Sequence, residues 1–156
     1  MILLLGVTII TLFLFIVPVL LIIVNVTYNF PIISNSFLKS LGFVFCIFGL
    51  SATFVTIHFH FLTGRVTPVA IETPKKLIKR GFYGFSRNPM YIAILLTFLG
   101  GFLVFGHLLL LIYFFFAAVS VHLFVVYKEE PELKKLFGKE YEEYIGKVPR
   151  WLPKFF

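Results

Sequence analysis

Residues 89–127 read PMYIAILLTFLGGFLVFGHLLLLIYFFFAAVSVHLFVVY, a segment without Lys, Arg, Asp or Glu. Gly106 and His107 divide it into two apolar runs, 89–105 and 108–127. Each run is close to the roughly 20 apolar residues that a helix needs to cross the hydrocarbon core of a bilayer. Because two residues leave room only for a reversal of direction, the sequence predicts an antiparallel pair of transmembrane helices here.

Two more apolar runs precede this hairpin, at residues 2–24 and 38–62. The composition of the whole chain agrees with them, since 60% of its 156 residues are hydrophobic, only 13% are charged, and 22 are Phe. A soluble domain of this size has too little interior to bury so much apolar surface. We therefore predict one all-α integral membrane domain, 1–156, with about four transmembrane helices.

The charged residues lie almost entirely between and after these spans. The connector 63–88 carries six Lys and Arg residues and the tail 128–156 carries seven, whereas the loop after the first span has none. Positive residues favour the cytoplasmic side, so we expect a multi-pass protein whose connector, tail and N-terminus are cytoplasmic. Basic blocks beside apolar spans suit anionic lipid headgroups, and we expect no nucleic-acid partner for the net charge of +7.

The tail has the pattern of an amphipathic helix. Leu133, Leu136 and Phe137 have helical spacing, and Gly138 is a typical stop signal. Tyr141 and Tyr144 are three residues apart and face the same way. The pattern predicts a C-terminal helix lying at the membrane interface. Alternatively, it forms a lid over the ends of the third and fourth spans.

The first segment with potential chemistry is the start of the third span. Asn88 suits a helix N-cap and Pro89 suits the first helical position. A helix N-terminus offers free N–H groups, and with Arg87 beside it this is a cradle for a carboxylate or phosphate. The plain alternative is an interfacial helix start with an Arg that reaches towards the headgroups.

The second segment is the end of the fourth span. His122 and Glu129 are two helical turns apart and share a face, while Glu130 lies about 100° round the helix. The two carboxylates then serve separate partners, such as a cationic ligand and a neighbouring helix. The alternative is that both cap a tail helix with Pro131 in its first turn. With a single cysteine, Cys46, and no paired histidine spacing, we expect no metal.

The order and spacing of these pieces resemble the isoprenylcysteine carboxyl methyltransferase and phospholipid methyltransferase superfamily. The resemblance covers roughly residues 65–156, and the first 60 residues match only as hydrophobic spans. It implies binding of S-adenosylmethionine between the last two helices and the tail, with S-adenosylhomocysteine as product. The motifs are Gly81-Phe82-Tyr83, Arg87-Asn88-Pro89-Met90-Tyr91, Glu129-Glu130-Pro131-x-Leu133, Phe137-Gly138-x-Glu140-Tyr141-x-x-Tyr144 and Val148-Pro149-Arg150-Trp151-x-Pro153.

Residue roles follow from the resemblance. Arg150 and Glu130 are implied as catalytic residues, and Tyr141, Tyr144 and Arg150 as substrate-binding residues. Arg87 or the helix start is expected to hold the cofactor's carboxylate, and Glu129 or Glu130 its ammonium or ribose. The implied cofactor pocket consists of Tyr83, Arg87, Asn88, Pro89, Tyr91, His122, Glu129 and Glu130.

The expected acceptor is a membrane lipid or a lipidated small molecule, methylated by direct in-line transfer at the cytoplasmic face. The tail motif favours an isoprenylcysteine-type carboxylate, which Arg150 would orient by charge. The Asn-Pro-Met-Tyr and Glu-Glu-Pro motifs also suit a phosphatidylethanolamine-type amine, for which a Glu would act as base. A non-catalytic membrane scaffold or transporter subunit is the alternative outside enzymology, and it predicts no cofactor affinity.

Overall fold

The computed structural model describes residue 8, residues 11–62 and residues 77–152. Helices make up 81% of this part of the chain, which contains no β-strand, so the all-α prediction is confirmed. A 3₁₀ turn, Gly81–Gly84, precedes the third helix, and π-helical turns occur at Leu12–Ile16 and Val125–Glu129. The α-helices are α1 (Val17–Thr27), α2 (Ser36–Leu62), α3 (Pro89–Phe105), α4 (Leu108–Phe124), α5 (Glu130–Phe137) and α6 (Lys139–Lys147).

Two of the described helical segments are long and apolar enough to cross a bilayer, Ser36–Phe59 and Leu108–Phe137, with 24 and 30 residues. Leu12–Thr27 and Pro89–Phe105 are shorter apolar helices. The predicted number of four spans therefore stays a prediction. Several residues on which the sequence argument drew lie outside the described residues: 2–7, 9, 10, Arg65, Lys75, Lys76 and Pro153.

The α2 and α3 helices are in close backbone contact through glycine. A Cβ on Gly100 would lie 2.7 Å from the backbone nitrogen of Cys46, and one on Gly42 would lie 2.8 Å from the carbonyl oxygen of Gly100. Since real Cβ atoms do not come this close to a backbone, only glycine fits. Gly100 therefore serves the close packing of these two helices. A Cβ on neighbouring Gly101 would meet no atom within 4 Å.

Loop 28–35 lies against the α3–α4 turn, at the end of the helices opposite to the start of α3. Gly106 has φ 72°, and its carbonyl oxygen accepts a hydrogen bond of 2.8 Å from the Ile33 amide. Asn25 is completely buried and joins this loop to α4. Its Nδ2 donates to the Phe30 carbonyl oxygen at 3.0 Å, and its Oδ1 accepts from the Leu109 amide at 3.1 Å. The predicted two-residue hairpin turn is thus fixed by the first loop.

Among the described residues, Pro18 and Pro131 each follow a π-helical turn, whereas Pro89 begins its helix. Pro18 comes two residues after Leu12–Ile16, and Pro131 comes two residues after Val125–Glu129. Proline lacks an N–H donor and its ring clashes with the carbonyl one α-helical turn earlier, and a wider π turn accommodates both problems. The helix therefore continues through Pro131 to Phe137. The apolar run 108–127 and the first part of the tail thus belong to one continuous helical segment.

The tail folds back onto the segment before the 3₁₀ turn. Gly138, with φ 50°, ends α5 as predicted. Tyr141 and Tyr144 share a face, also as predicted, and that face is buried in a small core with Leu77 and Val148. Leu133 and Phe137 pack against the same core. This packing fixes α6 beside the beginning of α3, where the candidate site lies.

Candidate functional site

Glu130 lies between two arginines from distant parts of the sequence. Arg150 binds it with two parallel hydrogen bonds, from Nε to Oε1 at 2.7 Å and from Nη2 to Oε2 at 2.9 Å. The Nη1 of Arg87 lies 2.8 Å from the same Oε1. The side chains of Glu130 and Arg87 are only 15% and 9% exposed, so the cluster is largely removed from solvent. Low exposure strengthens such pairs relative to surface ion pairs.

The side chains at the start of α3 bind the tail rather than the helix. Asn88 Nδ2 donates to the carbonyl oxygen of Arg150 at 3.0 Å, and Ser86 Oγ donates to the same oxygen at 3.1 Å. Ser86 Oγ in turn accepts from the Asn88 amide at 3.2 Å. Helix α3 begins at Pro89 with Asn88 at the N-cap position, as predicted. The Asn88 side chain makes no capping hydrogen bond to the helix, because its amide binds the tail instead.

Backbone groups reinforce this contact between the two segments. The Arg87 amide donates to the Pro149 carbonyl oxygen at 2.9 Å. The Tyr144 hydroxyl donates to the carbonyl oxygen of Tyr83 at 2.7 Å, inside the protein. The 3₁₀ turn, the start of α3 and the Val-Pro-Arg stretch therefore form one hydrogen-bonded unit.

The tail also contacts α4 below Glu130. Trp151 Nε1 donates to His122 Nδ1 at 3.1 Å, and the two ring centroids are 6.0 Å apart. A nitrogen that accepts a hydrogen bond carries no proton, so neutral His122 has its N–H on Nε2 and can present it as a donor. Arg150 and Trp151 thus contact the continuous helical segment Leu108–Phe137 at two places, Glu130 and His122.

The structure brings most of the predicted site residues together at this place. Arg87, Asn88, Glu130 and Arg150 are in direct contact, and His122 joins them through Trp151. Glu129 and Tyr91 are half-buried, in the π turn and in the first turn of α3 behind Pro89. Tyr83, Tyr141 and Tyr144 are buried. Whether any of them binds cofactor or substrate stays a prediction.

Sequence reasoning missed two residues of this site, Ser86 and Trp151. Ser86 stands two residues before Asn88, a spacing at which a hydroxyl accepts from a following backbone amide. Trp151 follows Arg150 inside a motif that was quoted only for the family resemblance. The local sequence contains both signals, but their partners, Arg150 and His122, are contacts of the fold.

Burial and charge set the ionisation of two site residues. Burial raises the pKa of Tyr141, the negative charge of Glu130 raises it further, and a hydrogen bond from Arg87 partly opposes both. The hydrogen bonds to Glu130 raise the pKa of the Arg150 guanidinium. At neutral pH the site therefore contains a neutral Tyr141 hydroxyl and a fully charged Arg150.

Arg87 keeps hydrogen-bonding capacity inside the cluster. Its Nε is buried without a hydrogen-bond partner, and its Nη1 is in charge contact with Glu130 outside hydrogen-bond geometry. A buried donor left over in a cationic site suits an anionic ligand group, because such a donor costs free energy until it is used. Arg87 is therefore a residue of this cluster whose chemistry suits a carboxylate.

Comparison with known families assigns the chain to a family. A family model described as phospholipid methyltransferase matches residues 37–140, about two thirds of the chain. The chain belongs to the phospholipid methyltransferase family. The resemblance to the superfamily is confirmed, and two helical segments in the described part of this family member are long and apolar enough to cross a bilayer.

A curated relative agrees with this assignment. The family member is 28% identical over 128 residues to methanethiol S-methyltransferase 1 of Bradyrhizobium diazoefficiens. The alignment covers 74% of this chain and 41% of the relative. The chain thus spans about two fifths of the length of the curated relative.

Proposed function

We propose that this chain is a multi-pass membrane methyltransferase that uses S-adenosylmethionine to methylate an anionic group on a lipid-like acceptor at the cytoplasmic face. The favoured acceptor is an isoprenylcysteine-type carboxylate. The observation that carries the proposal is the meeting of Arg87, Glu130 and Arg150, which joins the start of α3, the start of α5 and the Val-Pro-Arg stretch.

The cofactor assignment rests on the groups that S-adenosylmethionine presents. Its carboxylate suits the buried Nε of Arg87 and the start of α3. The carboxylate of Glu129, which is half-buried next to Glu130, suits the cofactor's ammonium and ribose. Tyr83, Tyr91 and His122 complete the proposed pocket. When bound, the cofactor supplies an electrophilic methyl group on a sulfonium, and the residues of the chain supply alignment and charge.

The acceptor assignment rests on the balance of charge. Two guanidinium groups surround one carboxylate, so Arg87, Glu130 and Arg150 together carry a positive charge. A positive site attracts an anionic nucleophile, and a carboxylate needs no base before it attacks. An amine acceptor must lose a proton. Three donor nitrogens already lie on the Glu130 carboxylate, which leaves Glu129 as the base for amine chemistry.

Two other acceptors are supported by specific comparisons. A thiol that has lost its proton to solvent is an anion like a carboxylate and suits the same cationic site. The curated relative is named as a methanethiol S-methyltransferase. A phospholipid amine is supported by the description of the matching family. We rank the thiolate second, because an anion suits the net positive charge of the cluster. We rank the amine third.

The cytoplasmic placement rests on the distribution of basic residues around the cluster. Exposed cations surround it on the connector and on the tail helices, and the loop before α2 contains none. Anionic headgroups and the positive-inside rule favour this side for the cytoplasm. A cytoplasmic pocket at the end of membrane helices lets a water-soluble cofactor meet a lipid-embedded acceptor.

The test is methyl transfer from labelled S-adenosylmethionine by purified protein to three separate acceptors. These are a farnesylcysteine analogue, phosphatidylethanolamine and a long-chain alkyl thiol. We expect incorporation into the farnesylcysteine analogue, with kcat/KM reduced by roughly tenfold or more in Arg150→Gln, because a charge-assisted contact to the acceptor is lost. Transfer to phosphatidylethanolamine alone contradicts the carboxylate proposal. Absence of both transfer and cofactor binding contradicts the enzyme proposal.

A further inference from the structure

We infer that Glu130 is a positioning residue, which holds Arg87 and Arg150 together in one cationic cradle and does not itself bind the cofactor or accept a proton. The inference rests on the proposed function, since it concerns how that cradle receives the cofactor's carboxylate. It assigns to the second Glu of the Glu-Glu-Pro motif a role different from that of Glu129.

The Glu130 carboxylate is already occupied mainly by the two arginines. A carboxylate offers about four lone-pair directions. Arg150 takes one on each oxygen, and Arg87 approaches Oε1 as well. At most one direction, on Oε2, is left for a cofactor ammonium or a ribose hydroxyl, and a cationic ammonium there would lie beside two guanidinium groups.

The guanidinium groups of Arg87 and Arg150 repel each other. A nitrogen of Arg87 and a nitrogen of Arg150 contact the same oxygen, Glu130 Oε1. Two cations so close together, of which Arg87 is largely shielded from solvent, repel each other unless a negative charge lies between them. The carboxylate of Glu130 supplies that charge, so the placement of both guanidinium groups depends on it.

The backbone and the side chain of Arg150 are held by different partners. Ser86 and Asn88 fix the carbonyl oxygen of Arg150, which determines where the backbone lies. The side chain of Arg150 is fixed by Glu130 alone among its hydrogen-bond partners in the described part of the chain. Loss of Glu130 therefore leaves the tail backbone held at α3 but releases the guanidinium group.

The experiment compares two probes by calorimetry, S-adenosylhomocysteine and its decarboxylated analogue, which keeps the ammonium and ribose but lacks the carboxylate. For Glu130→Gln we expect the Kd of S-adenosylhomocysteine to rise about tenfold, since Arg87 loses its placement. We expect the Kd of the decarboxylated analogue to stay within twofold. Glu132→Gln is the matched control, an exposed glutamate on the same helix, and should change neither affinity.

Two more variants keep the test decisive if Glu130→Gln folds poorly. Glu130→Asp retains the negative charge and should recover part of the lost affinity for S-adenosylhomocysteine. Arg150→Gln removes the partner that binds Glu130 with two hydrogen bonds. The double variant Glu130→Gln/Arg150→Gln should bind S-adenosylhomocysteine no more weakly than Glu130→Gln alone, because the two residues act as one unit.

The outcomes separate this inference from the proposed function. If Glu130→Gln weakens both probes equally, Glu130 binds the ammonium or ribose directly and the positioning role is refuted, while the proposed function stands. If the wild-type protein binds neither probe, the proposed cofactor site itself is refuted. Unchanged affinity for both probes in Glu130→Gln and in Arg150→Gln also overturns the positioning role.

Discussion

At the scale of single residues, side chains of the site connect segments that are far apart in sequence. Asn88 was expected to cap its own helix, which a local pattern can predict. In the structure its amide binds the Arg150 carbonyl oxygen, a partner that no local pattern contains. The sequence therefore singled out Asn88 as a candidate site residue. Its hydrogen-bond partner depends on the tail folding over α3.

Replacement of Asn88 tests this connection. Asn88→Ala removes one of two donors to the Arg150 carbonyl oxygen, which we expect to cost about 1–3 kcal/mol of unfolding free energy. Affinity for S-adenosylhomocysteine should fall with it, since the tail is less firmly placed. Calorimetry and thermal unfolding in detergent measure both. Asn35→Ala is the control, because Asn35 caps α2 from the opposite loop, and its cofactor affinity should match wild type.

The raised pKa of Tyr141 makes tail docking dependent on pH. Because the folded protein holds the Tyr141 proton more tightly than a free tyrosine does, its stabilising contribution is complete below the ordinary value of 10.0. That contribution decreases as pH rises above 10 through the raised value. Emission of Trp151, the single tryptophan, reports on the tail. The pH at which this emission changes should shift in Tyr141→Phe. It should stay the same in Tyr127→Phe, because Tyr127 is an exposed tyrosine.

At the scale of helices, hydropathy predicted the main elements well. The limits of α3, Pro89–Phe105, agree with the apolar run, since Pro and Gly mark its ends. The π turns before Pro18 and Pro131 were not predicted. A proline can kink, end or widen a helix, and which of these happens depends on what the following residues pack against. Beyond Pro131, that packing is the Tyr141–Leu77 core.

The α2–α3 contact provides a test with an adjacent control. Gly100→Ala places a methyl group against the α2 backbone, and we expect a loss of about 1–3 kcal/mol in unfolding free energy. Gly101→Ala meets open space, and it should be neutral or stabilising by up to about 1 kcal/mol through helix propensity. Thermal unfolding in the same detergent compares them. Equal destabilisation by the two variants contradicts the close packing at Gly100.

At the scale of the whole molecule, the composition was enough to predict a membrane protein, because the apolar surface exceeds what 156 residues can bury. The site needed more than composition. Arg87, Glu130 and Arg150 belong to three separated segments, and their contact depends on α6 folding back to bury Tyr144 near Tyr83. Sequence predicted which residues would meet, but not that Glu130 would bind both arginines.

The proposed orientation predicts which loops face the cytoplasm. We expect Ser34→Cys, in the loop between α1 and α2, to react with a membrane-impermeant maleimide on intact cells. Gly146→Cys, at the end of α6, should react only after the membrane is permeabilised. The native Cys46 is replaced by Ala in both variants, to leave a single thiol. Labelling of both positions from the same side contradicts the proposed topology.

The central claim is that the start of α3, the end of α4 and the tail enclose one S-adenosyl cofactor. Titration calorimetry of S-adenosylhomocysteine into the detergent-solubilised protein, with Arg87→Gln measured in parallel, tests it most directly. We predict saturable binding to the wild-type protein that is weakened about tenfold or more in Arg87→Gln, because the carboxylate loses its charge-assisted partner. Absence of heat at millimolar ligand, or equal affinity in both proteins, would contradict the account.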